Sequence, residues 1–481
     1  MASRSHPTPR PPTLLLVLLA LILPLLAACG GGSAAPASSQ IGAMAPTAAP
    51  AAASPTAAAA AEAPLTSAEQ PAASSDSGIA APAPIIAPAG GAVGVAPGVA
   101  REPALAVATA APAAAGVAAL PTQAPVAIAG QQQAAPLKAG EVDDNRDFAA
   151  YLDYLHNYSG PRARTIDISE RYILTVTNER QQPVLDAHVR LFDGQQQVFE
   201  GRTVAGGKTI VLPRALGIAE TAGSLRVLIE KGNSSVEGTL TRGQDSTQSF
   251  VLRGALALPA TPRLDVLFLL DATGSMGDEI AQIQQTIVSI AERIDQIQPR
   301  PELRFALVAY RDRGDDYVTR VDDFTTDVAA FQQRLLNTRA DGGGDEPESL
   351  NEGLHATTQR VSWADDAVRL SFLVADAPPH LDYAQDYDYG HEAQVAVSKG
   401  IKVYTIAASN TSDEAEYVMR QISQQTLGHF IFLTYAAGQN AGAPGDTTTH
   451  HVDPEAFSVE RLDDLVVQVV QRELAQAQGV S

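Results

Sequence analysis

The chain has 481 residues, with 54 acidic against 33 basic side chains, a formal charge of −21 and a single cysteine. That balance excludes unspecific nucleic-acid binding, which needs a basic surface, and one cysteine excludes an intrachain disulfide. The length leaves room for two or three folded domains once low-complexity segments are set aside.

Arg4 and Arg10 precede an apolar run from Leu14 to Ala28, interrupted only by Pro24, and the run ends in Leu26-Ala27-Ala28-Cys29. A basic start, a short apolar core and small residues before a cut form a secretory signal. The core is too short to span a bilayer comfortably. The stretch LAAC resembles the lipobox of bacterial lipoproteins. That resemblance implies removal of residues 1–28, lipidation of Cys29, and an extracytoplasmic protein anchored by lipid to a bacterial membrane at the cell surface. Two or three acyl chains anchor durably where one does not. Residues 29–140 are mostly Ala, Pro, Ser, Gly and Val, without aromatics. Such a segment buries too little surface to offset its ordering entropy and reads as a disordered stalk that gives the folded part reach.

A small domain is expected over residues 141–256. It opens with a short helix, because Phe148, Tyr151, Leu152 and Leu155 lie at helical spacing. Seven strand-like runs follow, at 171–178, 188–194, 196–204, 208–214, 224–232, 235–240 and 246–252. Alternating apolar and polar residues with turn residues between them predict an all-β sandwich. The stretch VTNERQQPVLDAHVRLFDG resembles the opening hairpin of transthyretin-like, carboxypeptidase-regulatory-type domains. No chemistry is visible here, and a spacer or structural role is expected.

From residue 263 to 476 strands alternate with helices. LDVLFLLD (264–271) leads into a helix over about 278–297, in which Ile280, Ile283, Ile287, Ile290, Ile294 and Ile297 recur in steps of three and four. The spacing suits a coiled-coil seam, but flanking strand-like runs favour a helix packed on a sheet. Strands at 304–310, 369–376, 401–408 and 429–435 and helices near 327–337, 347–361, 412–426 and 458–476 complete the pattern. This is an α/β class: a Rossmann-like, doubly wound, mostly parallel sheet covered on both faces, preceded by the small sandwich and the stalk. Such sheets place their sites beyond the carboxyl ends of the strands.

Asp271 ends the first strand of this region, and Thr273 and Ser275 follow at alternate positions. Alternate residues of an extended segment point the same way. Small side chains with hard oxygen donors suit Mg²⁺ or a similar cation such as Mn²⁺ or Ca²⁺. Here the chain resembles the von Willebrand factor type A domain. DATGSM matches that family's DxSxS motif, with Thr273 in the middle place. Two more loops of the family's metal-ion-dependent adhesion site follow in order: DGGGDEPESL (341–350) and LVADAPPH (373–380), with Asp376 in the family's aspartate place. YRD, GGGDEPE and DAPPH together resemble the extracellular-matrix and alpha-kinase-associated branches of the family. The resemblance implies a metal site built by Asp271, Thr273, Ser275 and Asp376, and a protein partner whose acidic residue completes the coordination. The family's second-loop threonine is replaced. Gly344, Asp345 or Glu346 stands there depending on register, and Asp345 is the best oxygen donor. Three carboxylates around one divalent ion would strengthen its binding and weaken the attraction for an acidic partner.

Other signals weigh less. Thr273-Gly274-Ser275-Met276-Gly277 nearly matches a GxSxG nucleophile elbow, which would make Ser275 a hydrolase nucleophile served by His429, His450 or His451. The first glycine is missing, and no histidine sits in a recognisable motif. No enzyme activity is expected, and the alternatives are an envelope scaffold with a stabilising metal or a Ser275-dependent hydrolase. No GxxxxGK phosphate loop is present, so Gly342-Gly343-Gly344 reads as backbone freedom at the metal loop. His380, Asp382, Asp386, Asp388 and His391 could ligate a second ion but read better as a solvated loop and helix start. Arg313-Gly314-Asp315 spells an integrin-binding tripeptide and reads as chance. His450 and His451 read as surface, and Trp363 as packing.

Overall fold

The computed structural model describes residues 136–160, 164–344, 346–409, 411–434, 450–453 and 455–480. The signal segment, Cys29, nearly all of the stalk, and Asp345 lie outside the described residues. The first part of the chain folds as β1 (Lys138–Val142), α1 (Phe148–Asn157), β2 (Tyr172–Thr177), β3 (His188–Asp193), β4 (Gln196–Arg202), β5 (Lys208–Val211), β6 (Ser224–Lys231), β7 (Ser234–Thr241) and β8 (Thr247–Val251). The second part continues with β9 (Arg263–Asp271), α2 (Ile280–Asp295), β10 (Glu302–Tyr310), β11 (Thr319–Thr325), α3 (Val328–Leu336), α4 (Leu350–Gln359) and β12 (Ala367–Ala375). It ends with α5 (Tyr389–Ser398), β13 (Ile401–Ala407), α6 (Asp413–Gln425), β14 (Phe430–Leu433), β15 (Glu460–Arg461) and α7 (Leu462–Gln478).

The larger domain is an eight-stranded sheet in the order β11-β10-β9-β12-β13-β14-β1-β15. β9, β10, β12, β13 and β14 run parallel, while β11 and β1 join antiparallel. Helices cover both faces, so β9 carries side chains that are buried on either side. Val266, Phe268 and Leu270 pack with α2, α3 and α7. Leu267 and Leu269 pack with α4, α5 and α6. The isoleucines Ile280, Ile283, Ile287, Ile290 and Ile294 all lie in the first of these layers. Their period is therefore the buried face of a helix on a sheet, as expected for a doubly wound fold.

The seven strands of the smaller domain form a sandwich of a three-stranded sheet, β5-β2-β8, and a four-stranded sheet, β4-β3-β6-β7. Leu174, Val176, Val189, Leu191, Val227 and Ile229 fill the space between them. The β3–β4 hairpin turns at Gly194-Gln195, where Gly194 takes a φ of +57° that costs a glycine little.

The domains are not strung end to end. β1 straddles the stalk boundary expected at residue 140 and lies in the larger sheet between β14 and β15. The sandwich thus forms an insertion between β1 and β9. Helix α1 packs at the junction, with Tyr151 buried beside Ile210 and Leu212 of the sandwich. Asp186 of the sandwich accepts from Arg369 Nη1 and Nη2 at 2.9 and 3.1 Å and from Arg202 at 3.1 Å. Among the described residues no helix is long and apolar enough to cross a membrane.

Candidate functional site

Asp271 is the last residue of β9 and is fully buried. Its position at the carboxyl end of a central parallel strand opens it to the loops above the sheet. Thr273 follows in extended conformation (φ −76°, ψ 167°), and a tight 3-10 turn over Gly274–Asp278 then leads to α2. This carries Thr273 and Ser275 back over Asp271. Thr273 donates to Asp271 Oδ1 from its backbone N–H at 2.9 Å and from its hydroxyl at 2.6 Å. The Thr273 and Ser275 hydroxyls lie 3.1 Å apart, and Ser275 Oγ donates to Asp376 Oδ1 at 3.1 Å. Tyr310, opposite Asp271 across β10, donates to its second oxygen at 3.0 Å. Four of the five residues expected at the site, Asp271, Thr273, Ser275 and Asp376, thus form one hydrogen-bonded chain. The fifth, Asp345, lies outside the described residues.

The second loop contributes a residue that the sequence reading passed over. Glu348 is 2% exposed, and its Oε2 has no hydrogen-bond partner. Its backbone is clamped to the third loop, donating to Pro378 O at 3.0 Å and accepting from His380 N at 3.1 Å. The side chain reaches Gly343, which adjoins the first loop. A Cβ at Gly343 would come within 2.3 Å of Glu348 Oε1 and 2.8 Å of Thr273 Cβ. Gly343 and Gly342 adopt φ of +61° and +79°, and a Cβ on Gly342 would meet the Asp315 carboxylate at 2.2 Å. Gly342 and Gly343 are therefore required by close approach and by left-handed backbone, whereas Gly344 has open space around it. The signal for Glu348 was its place next to Ser349, the residue that starts α4, whose buried Leu350 and Leu354 fix the helix face.

The charge at this point is uncompensated. Burial pushes Asp271 up to about 6 against the hydrogen bonds from Thr273 and Tyr310. Burial, then repulsion from Asp271, pushes Asp376 up to about 7. Burial, then Asp271, Asp312, Asp315 and Asp376, pushes Glu348 up to about 9. Groups so perturbed in one place, with an orphaned buried carboxylate oxygen among them, fit a cation. Among the described residues no three His, Cys, Asp or Glu side chains are grouped to hold a metal by themselves. The fit therefore rests on two carboxylates and two hydroxyls together, all hard oxygen donors.

A second layer holds the loops. Asp312 accepts from Ser349 Oγ at 2.9 Å and lies 3.3 Å from His380 Nε2. His380 Nδ1 is 2.8 Å from Asp382, and its ring stacks on Tyr383 at 3.8 Å. Asp386 binds Asn351 and Arg313, and Asp388 caps α5 through His391 N–H at 2.9 Å. The five residues read as a possible second ligand set are thus spread over separate tasks. His380 is buried rather than solvated. In the RGD tripeptide, Arg313 pairs with Glu352 and Asp386 at 2.6 Å, and Asp315 accepts from Asp312 N and Gly343 N. Both ends are thus engaged within the protein, although Arg313 stays exposed.

The other histidines stand elsewhere. His429 pairs with Glu141 at 2.6 Å, and His450 with Glu416 at 3.2 Å. The His450 side chain is buried between Glu416, Phe430 and Phe432, which corrects the surface reading; His451 is exposed. Trp363 packs edge-on against Phe324 and donates to Thr357 O at 2.9 Å.

Residues 265–440 match the family model described as von Willebrand factor A domain. The chain is 30% identical over 181 residues to alpha-protein kinase vwkA of Dictyostelium discoideum, covering 36% of this chain and 28% of that one. It is 33% identical over 148 residues to von Willebrand factor A domain-containing protein 7 of Rattus norvegicus, covering 30% of this chain and 15% of that one. The chain thus spans less than a third of either relative. A solved structure of proximal thread matrix protein 1 from the mussel byssus, with a zinc-occupied MIDAS motif, aligns at 14% identity and a TM-score of 0.31 over 43% of this chain and 48% of that one. That likeness is too loose to place residues. The segment that carries Asp271, Thr273, Ser275, Glu348 and Asp376 is a von Willebrand factor A domain.

Proposed function

We propose that this domain holds a divalent cation, Mg²⁺ or Mn²⁺ in the first place, through Asp271, Thr273, Ser275 and Asp376, with the second loop closing the site. The ion gives the domain a position at which an oxygen of a protein partner can complete the coordination, so the function is metal-dependent protein binding and not catalysis. The single observation that carries this reading is the hydrogen-bonded chain from Asp271 through Thr273 and Ser275 to Asp376, two buried carboxylates joined by two hydroxyls. Among the described residues Ser275 Oγ bonds Thr273 and Asp376 and no histidine, which favours a ligand over a nucleophile. The basic start, apolar run and LAAC ending at Cys29 support export and lipid anchoring at a bacterial surface. Calorimetric titration of the full chain with Mg²⁺ and Mn²⁺, beside Asp271→Ala, tests the reading. Saturable binding that the variant loses supports it; binding in neither protein removes it. An envelope scaffold with a stabilising ion predicts instead that chelation lowers stability while a partner captured in the presence of metal stays bound.

A further inference from the structure

The carboxylate expected from a partner must approach a site that already holds negative charge. Asp271 and Asp376 balance a divalent ion by themselves. Glu348 then adds a third carboxyl group, which the bound ion favours in its charged form; it is buried, without a hydrogen-bond partner on Oε2, and its Oε1 would lie 2.3 Å from a Cβ on Gly343, the glycine that also adjoins Thr273. Two arginines of the neighbouring loop are turned to other acceptors. Arg311 lies 3.9 Å from Asp341 and donates to Arg339 O at 2.9 Å, and Arg313 is held between Glu352 and Asp386. Asp312 and Asp315 stand close enough to Glu348 to repel its charge.

We propose that Glu348 is the specificity-determining residue of this site: its charge turns the site away from carboxylates and toward the uncharged oxygens of a protein partner, an Asn or Gln amide or a Ser or Thr hydroxyl. The inference rests on the metal-binding reading above. A carboxylate arriving at an ion whose charge is already exceeded meets net repulsion in a poorly screened setting. An amide or hydroxyl oxygen supplies the same hard donor without that repulsion. The acidic partner residue implied by the family resemblance therefore gives way to a neutral one.

The test uses the full chain loaded with Mn²⁺, with water-proton relaxation as the readout and acetate and acetamide as probes. In the wild type, acetamide should displace water from the ion at lower concentration than acetate. In Glu348→Gln, close in shape and uncharged, acetate affinity should rise at least tenfold while acetamide affinity changes less than threefold. Glu348→Thr should show the same reversal and guards against a packing effect of the amide. Acetate binding to the wild type as tightly as to both variants, or acetate outranking acetamide in the wild type, overturns the inference and leaves the metal reading intact. Absence of saturable Mn²⁺ binding in the wild type takes down both.

Discussion

Asp271, Asp376 and Glu348 keep their protons to a higher pH than ordinary carboxylic acids, and the consequence for stability has a definite sign. Burial is the first cause for all three, and mutual repulsion adds to it for Asp376 and Glu348. Folded values near 6, 7 and 9 stand above ordinary values of 3.8, 3.8 and 4.5. Over that interval the folded state binds protons that the unfolded chain has released. The stabilisation is complete below the ordinary carboxylate values and is lost as pH rises through the folded ones. In chelator, the melting temperature is therefore expected to fall as pH goes from 5 to 9. Glu348→Gln should flatten the upper part of that fall, since the amide has no proton to lose. Saturating Mg²⁺ should flatten it further, because the ion favours the charged carboxylates and binds the folded state alone. Calorimetric melts at several pH values check this. Parallel profiles for wild type and Glu348→Gln would remove Glu348 from the account.

At the scale of elements, the site depends on how loops are pinned. The backbone of Glu348 pairs with the segment at Pro379, and Ser349 at the start of α4 donates to Asp312 beyond the end of β10. Asp312 thus ties the second loop to the third through Ser349 and His380 without standing in the ligand chain. Asp312→Ala leaves Ser349 without its buried acceptor, removes the carboxylate 3.3 Å from His380 Nε2, and should cost about 1–3 kcal/mol of stability. Loosening such outer partners should also weaken Mn²⁺ binding by about tenfold or more. Asp312→Asn, which retains one acceptor, should recover part of the affinity. A loss of stability with unchanged Mn²⁺ affinity would make Asp312 a packing residue only. The same elements explain what could be read in advance. A strand of consecutive apolar residues ending in Asp271, and six isoleucines in helical steps, have one physical solution in a covered parallel sheet. β11 gives no such signal, because Thr-Arg-Val-Asp-Asp-Phe-Thr lies at the sheet edge with no strand beyond it and keeps its polar residues wet. Asp271, Thr273, Ser275 and Asp376 could be found because a motif names them. Glu348 is marked in the sequence only by its place beside Ser349 at the start of α4, and the bonds that set it, to Pro378 and His380 of the third loop, are tertiary.

At the scale of the molecule, the von Willebrand factor A domain is completed by a strand that precedes the sandwich in the chain. Lys138-Ala139-Gly140-Glu141-Val142 follows an Ala/Pro tract and has neither the length nor the alternation that announces a strand. What places it is tertiary: backbone pairing with β14 and β15, and charged anchors on either side of the sheet edge. Glu141 binds Arg472 of α7 at 2.6 Å and His429 at 2.6 Å. Asp144 binds Arg420 of α6 at 2.6 and 3.0 Å in a buried pair, and Arg420 also stacks 3.9 Å over Tyr154 of α1. A fragment that begins at residue 258 keeps every candidate metal ligand but loses β1, Asp144 and α1. It takes Asp144 from Arg420, which keeps Glu416 at 3.2 Å, a change that costs on the order of 1–3 kcal/mol, and it exposes the edge of β14 to association. Chemical denaturation of a fragment from residue 258 beside one from residue 136 should show the shorter one less stable by at least that amount or aggregated. Equal stability would mean that β1 only decorates the sheet. If the difference is found, the sandwich and the domain that carries Asp271 form one folding unit.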